Sequence, residues 1–315
     1  MKTISLSITF LLILLLADNG DKFKPSERGI VYDKKPNTSD FTAQQSNANL
    51  STALTFHVSF DNENGAEADF GKGDRKVYTA NFKGGPDQTG VVSKAGLGTP
   101  ALTTAKSKGK YGAALQFTKA NTHSVFYNLE NNVDYKQNNF NGSLSLWMSL
   151  DPNEIPGQYC DPVQLTDKYY ASDAIWVDIT KNDLPPDFRL GVYGDQKVWD
   201  TKNKAGASEE FFWRILKISQ PPFQRDHWTH VVLTWEGLNT DSIGRAKLYL
   251  NGEYRGQSGP IREAFNWDPA KATMRLGIGD FIGMMDDIAL FNKSLSSDEV
   301  KALYALKNGV KELHR

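Results

Sequence analysis

Gly279-Asp280-Phe281-Ile282-Gly283-Met284-Met285-Asp286-Asp287-Ile288-Ala289-Leu290-Phe291 runs directly into Asn292-Lys293-Ser294-Leu295-Ser296-Ser297-Asp298-Glu299-Val300. The first stretch reads as a glycine-bearing turn and a short strand that opens on two aspartates. The second reads as a helix start, because Ser296 and Glu299 stand at capping-box spacing. Val300, Leu303 and Tyr304 continue one helix face, and Asn308-Gly309 supplies a stop signal. A strand closed by one capped helix, after many short alternating runs, predicts an all-β antiparallel sandwich of jelly-roll type. The helix is expected to cover a sheet edge.

Working outward, the domain opens at Ala53-Leu54-Thr55-Phe56-His57-Val58-Ser59-Phe60-Asp61, where Leu54, Phe56, Val58 and Phe60 alternate with polar residues. Ser143–Leu150 alternates in the same way and stops at Asp151-Pro152. Ala174–Ile179 and Phe188–Tyr193 flank a polar, proline-bearing turn. Trp228–Trp235 and Ala246–Leu250 form another pair, and the second of these runs into Asn251-Gly252, a strong hairpin signal. The aromatic share of 11% and the 26 glycines suit many strands and many turns.

The N-terminus reads differently. Lys2 precedes the apolar run Ile8–Leu16, and Ala17 ends it. This predicts a secretory signal over 1–17, an uncleaved anchor being the alternative. Residues 18–52 are polar without periodicity and are expected to be a disordered linker. The folded domain is then 53–315, with a secreted, periplasmic or cell-surface destination. Net charge is −1, which removes the electrostatic case for nucleic acid. No membrane span is expected beyond the N-terminal segment. Cys160 is the only cysteine, so no intramolecular disulfide forms and no cysteine-rich zinc site exists.

Five segments in order carry a family resemblance: Phe60-Asp61-Asn62-Glu63, Gly109–Phe117, Leu144-Ser145-Leu146-Trp147-Met148, the pair His227–Thr234 with Lys247–Gly252, and Met285–Phe291 with Leu295–Val300. Together they resemble the LamG-like jellyroll domains of the concanavalin A-like lectin/glucanase superfamily. The resemblance implies first and last strands lying side by side. It also implies a structural calcium, since in glucanase sandwiches of this superfamily an aspartate at the position of Asp286 helps bind one, and Asp61 would lie nearby. Calcium takes 6–8 oxygens, so backbone carbonyls and water would complete the shell. The alternative is that Asp61 and Asp286 cap turns or pair with cations. In a regular strand Asp287 would face away from Asp286.

A sugar-binding face is the second expectation. On Ser143–Leu150, Trp147 lies opposite the apolar side. On the two strands read as its neighbours, Trp176 and Asp178, and then Arg189 and Tyr193, do the same. Flat rings beside hydrogen-bonding groups suit sugar rings. The alternative is that the long insertion Gly194–Asp226 covers the tryptophans as core. The E-x-D-x-x-E strand of the superfamily's glucanases is absent, and Glu67-Ala68-Asp69-Phe70-Gly71-Lys72 lacks the second glutamate. The expected function is therefore a secreted, non-catalytic module that binds a glycan or glycoconjugate. A protein-adhesion or scaffold domain is the alternative, and a glycosidase or polysaccharide lyase is the third.

Overall fold

Alternation in the sequence becomes two stacked antiparallel sheets. The computed structural model describes residues 38–63, 65–80, 93–120, 123–181, 186–202 and 208–314. The expected signal at 1–17 and the beginning of the expected linker lie outside these residues. The first sheet contains β1 (Leu54–Val58), β2 (Phe70–Gly71), β5 (Leu102–Gly109), β6 (Gly112–Phe117), β8 (Phe140–Ser149), β13 (Thr229–Leu238), β14 (Arg245–Leu250), β15 (Glu253–Gln257) and β17 (Gly283–Phe291). Its order is β15-β14-β13-β8-β17-β1-β2, and β6 also pairs with β17 and carries β5. The second sheet contains β3 (Tyr78–Ala80), β4 (Ser93–Ala95), β7 (Ser124–Asn128), β9 (Tyr159–Tyr169), β10 (Ser172–Thr180), β11 (Asp187–Tyr193), β12 (Leu216–Ser219) and β16 (Thr273–Ile278). Its order is β12-β11-β10-β9-β16-β7-β3-β4.

Opening and closing strands lie side by side as the resemblance implied, with Phe56 opposite Leu290 and Val58 opposite Ile288. Inward residues meet between the sheets: Phe56, Leu146, Met148 and Leu233 from one, Val163, Leu165, Val177, Leu190 and Met274 from the other. Each such side chain contributes about 1.5–3 kcal/mol by leaving water. Cys160 is buried in this core.

Both outer faces are also covered, by different pieces of chain. On the first sheet, α1 (Thr38–Ala53), α4 (Ser297–Tyr304) and a 3₁₀ turn at Val310–Leu313 form a second apolar cluster. It joins Leu50, Val300, Leu303 and Leu313 to Val232, Tyr249 and Ala289. The α4 cap is as read: Ser296 Oγ accepts from Glu299 N, and Glu299 Oε2 accepts from Ser296 N. The helix ends at Tyr304, however, before the Asn308-Gly309 stop. On the second sheet the insertion supplies α2 (Gln196–Trp199) and α3 (Glu209–Arg214). Trp199 and Phe211 pack there on Trp176 and Tyr193.

Three expectations are corrected. Residues 38–52, read as linker, belong to α1, whose Leu50 is fully buried and whose Ser51 Oγ donates to Leu313 O. Among its described side chains, Leu50 and Ala53 join the apolar cluster. Next, β8 is not a neighbour of β10 and β11; it lies in the opposite sheet. Alternation reports which side of a strand faces the core, not which layer the strand joins. Finally, Asp287 has φ 51° and sits at a register shift between Asp286 and Ala289. This bulge breaks the alternation, and both aspartates turn toward the face under the C-terminal segment.

Candidate functional site

The expected ligand residues separate into two places. Trp147 is 3% exposed, on the outer face of the first sheet. Tyr304 of α4 stacks on it at 5.5 Å, His230 lies at 4.8 Å, and the Lys110 ammonium caps it at 4.4 Å. Trp147 is therefore sealed, and by the C-terminal helix rather than by the insertion. Trp176, Asp178 and Arg189 lie together on the outer face of the second sheet. They line a recess of about 230 Å³ with Tyr159, Asp161, Tyr170, Phe211 and Phe212.

Strand register builds its floor. Asp178 and Arg189 are cross-strand partners on β10 and β11. Arg189 Nε donates to Asp178 Oδ1 at 2.8 Å, and Nη2 donates to Oδ2, a bidentate fork. Between Val177 and Ile179 the β9–β10 register shifts, and this bulge brings Asp161 beside the pair. Gln164 Nε2 donates to Asp161 Oδ2 at 3.2 Å. Burial first, and then the Asp178 charge, push the Asp161 carboxyl up to about 8. Burial raises the Asp178 carboxyl as well, with the Arg189 fork opposing it. The floor thus combines two carboxyls of raised pKa with one guanidinium that offsets their charge.

Aromatic residues form the walls. Tyr159, Phe212 and Tyr170 are 61%, 52% and 38% exposed. Trp176 is almost covered and is fixed by Nε1 donating to Tyr170 O at 2.8 Å. Tyr193, expected as a ligand contact, is fully buried. It stacks on Phe211 at 4.8 Å and donates its hydroxyl to Phe211 O. Its position is beneath the wall, holding α3 in place. Ser208 caps α3 by accepting from Phe211 N. The insertion therefore divides its aromatics: Trp199, Phe211 and Phe223 pack down, while Phe212 and Trp213 face solvent.

Sequence reasoning singled out neither Tyr159, Tyr170 and Phe212 nor Asp161 as site residues. Tyr159 and Asp161 flank Cys160 in a strand and so share a face, the one signal available. The bulge that pairs Asp161 with Asp178 leaves no trace in residue types.

Asp61 and Asp286 lie elsewhere, straddling the turn between β5 and β6. Asp61 Oδ1 accepts from Ala113 N at 2.7 Å, and Asp286 Oδ2 accepts from Tyr111 N at 2.9 Å. Burial, with the charges of Asp287 and Asp61 behind it, raises Asp286 to about 8. Asp286 Oδ1 is buried without a hydrogen-bond partner, an oxygen that a cation would satisfy. The two backbone N–H groups serve Asp61 Oδ1 and Asp286 Oδ2, and Asp61 Oδ2 lies 3.9 Å from the Lys311 ammonium. Among the described residues no group of three His, Cys, Asp or Glu side chains is arranged to hold a metal ion. Asp287 takes a structural role, accepting from Val310 N and pairing with His57 at 2.8 Å.

Solved structures share the fold. The ligand binding domain of botulinum neurotoxin serotype D, in complex with N-acetylneuraminic acid, is 14% identical; the match covers 82% of this chain and 52% of that one, with a TM-score of 0.51. The receptor binding domain of the C/D mosaic serotype is 14% identical, over 81% and 51%, with a TM-score of 0.52. The chain thus spans about half the length of these toxin domains. Domain 4 of AbnA, a GH43 extracellular arabinanase from Geobacillus stearothermophilus in complex with arabinotriose, is 17% identical over 79% of this chain and 97% of that one, with a TM-score of 0.48. No curated protein matches the sequence. No helix among the described residues is long and apolar enough to cross a membrane. The family model described as the concanavalin A-like lectin/glucanases superfamily matches residues 127–301, more than half of the chain, and the protein belongs to that superfamily.

Proposed function

We propose that the chain is an exported glycan-binding module that seats a saccharide ring in the recess over Asp161, Asp178 and Arg189. The observation that carries this reading is the ring of exposed Tyr159, Tyr170 and Phe212 around a hydrogen-bonding floor. Sugar rings have apolar C–H faces and hydroxyl rims, and such a site meets both. The Arg189 guanidinium is already paired with Asp178, so the floor offers no free cation for an acidic sugar and favours a neutral one. Asp178 is held by Arg189, which leaves Asp161 as the one carboxyl outside an ion pair. Two-carboxylate glycoside hydrolysis needs an acid and a second working carboxylate, so binding without turnover fits better. The fold is shared with a toxin domain in complex with N-acetylneuraminic acid, which supports a sugar as a class of ligand.

Trp147→Ala and Trp176→Ala are poor tests, because both rings are buried. Tyr159→Ala with Phe212→Ala removes exposed walls and leaves the core intact. The double variant is expected to lose the saccharide-induced NMR shifts of the Asp161 and Asp178 amides while its melting temperature stays unchanged. Retained shifts at those recess amides in the folded variant would remove the reading.

A structural calcium at Asp61 and Asp286 is a second proposal, favoured by the unpartnered Asp286 Oδ1. Bound calcium would raise the melting temperature by mass action. A melt that ignores both added calcium and chelator ends that idea. Export is proposed from the signal-like residues 1–17. Fractionation of the native host with N-terminal sequencing tests it, and a chain with intact Met1 confined to the cytosolic fraction would refute it.

A further inference from the structure

We propose that the cleft at one end of the sandwich is a second binding site, for a neutral oligosaccharide. It is built from different residues than the recess and does not depend on that reading. Three connections form it: 129–139 between β7 and β8, 239–244 between β13 and β14, and 258–272 between β15 and β16. Its volume is about 880 Å³, within the range of pockets that hold small ligands.

The frame is tied in place before any ligand arrives. Asn239 Nδ2 donates to Lys136 O and to Phe265 O, both at 3.0 Å, and its Oδ1 accepts from Phe265 N at 2.7 Å. One side chain thus links all three connections. Tyr135 donates its hydroxyl to Phe265 O at 2.8 Å and stacks on Trp267 at 5.7 Å. A rigid frame lowers the ordering cost of binding.

The rim is left free. The side chains of Gln137, Asn138, Asp241 and Arg262 are exposed, line the cleft and have no hydrogen-bond or ion-pair partner among the described residues. Amides both donate and accept, as sugar hydroxyls do. The charges offset one another: Arg262 stands with Asp241, and Glu263 is neutralised by a buried ion pair with Arg214. A phosphate or polyanion would need an excess of one sign. The half-buried Tyr135 adds an aromatic surface for a C–H face. Together these features select an uncharged, hydroxyl-rich ligand with several rings.

The test is an amide NMR titration of the full chain with arabinotriose, cellotriose, mannotriose and chitotriose. At least one trisaccharide is expected to shift amides of Asn138, Thr240 and Arg262. A plugged variant, Asn138→Trp with Ser242→Trp, changes two exposed loop positions and is expected to lower the affinity read from those shifts about tenfold, or 1.4 kcal/mol. Should the plugged chain melt early, Asn138→Ala with Arg262→Ala replaces it, and a loss of affinity is again expected. The recess variant Tyr159→Ala with Phe212→Ala is expected to keep the cleft shifts, which separates failure of one site from failure of the other. No cleft shift with any of the four sugars at millimolar concentration overturns the proposal. So do shifts of unchanged affinity in the folded cleft variants.

Discussion

Trp147 and Trp176 are alike in sequence and opposite in circumstance. Each stands on the outward side of a long central strand, and each is almost fully buried. Over Trp147 the cover is complete, because α4 brings Tyr304 and the β5–β6 turn brings Lys110. Over Trp176 the cover is two short helices, α2 and α3, with Phe211 the ring stacked on it. The floor beside it stays open to Tyr159, Tyr170 and Phe212. A sandwich face becomes a site where its lid stops short, not where its aromatics lie.

That contrast can be broken by substitution. Trp147→Ala should cost about 3–5 kcal/mol of stability, as for a large core residue. It should leave saccharide affinity of the folded protein untouched. Chemical denaturation with a binding assay checks both, and a stable variant without binding would reverse the contrast. Arg189→Met should cost about 3–5 kcal/mol, because it strands the Asp178 carboxylate. Adding Asp178→Leu should restore most of that stability but not saccharide binding at the recess. If the double variant still shows saccharide-induced shifts of the Asp161 amide, the recess is not the site.

Titration sharpens the contrast at two residues, His230 beside Trp147 and Asp161 in the recess, whose shifts have opposite signs. His230, stacked on Trp147, is held down to about 3 by burial and by the charge of Lys110. Its unfolded value is about 6.5, so the unfolded chain binds the extra proton between those limits. The His230 contribution is thus lost as pH falls from about 6.5 to about 3, by up to about 1.4 kcal/mol per unit. Asp161 behaves in reverse. It holds its proton up to about 8 in the fold and only to about 3.9 when unfolded, so stability falls as pH rises between those values. His230→Gln should flatten the acid limb of a stability–pH curve, and Asp161→Asn the alkaline limb. Equal curves for wild type and variant would refute the assignment. The smallest effect is expected from Lys110→Ala, about 0.5–1 kcal/mol for a lost cation–π contact at Trp147, read as a small drop in melting temperature.

Much of the fold was legible. The Ser296–Glu299 cap, the Asn251-Gly252 hairpin and the alternation of β1, β8, β10 and β11 are local features written in residue types. The site was legible only in part. Trp176, Asp178 and Arg189 were marked by outward alternation, and the structure brings them together. Trp147 carried the same mark and lies in the other layer. Asp161 entered through a bulge, and Tyr159 and Phe212 through exposure that no periodicity reports.

Side-chain alternation and turn chemistry depend on neighbours a few residues apart, so sequence alone determined the strands, their inward faces and the closing helix. Layer membership, lid extent and bulge position depend on packing between segments distant in the chain. Tertiary structure alone therefore decided that Tyr304 closes one outer face, and that α3 stops short enough to leave the other with a recess.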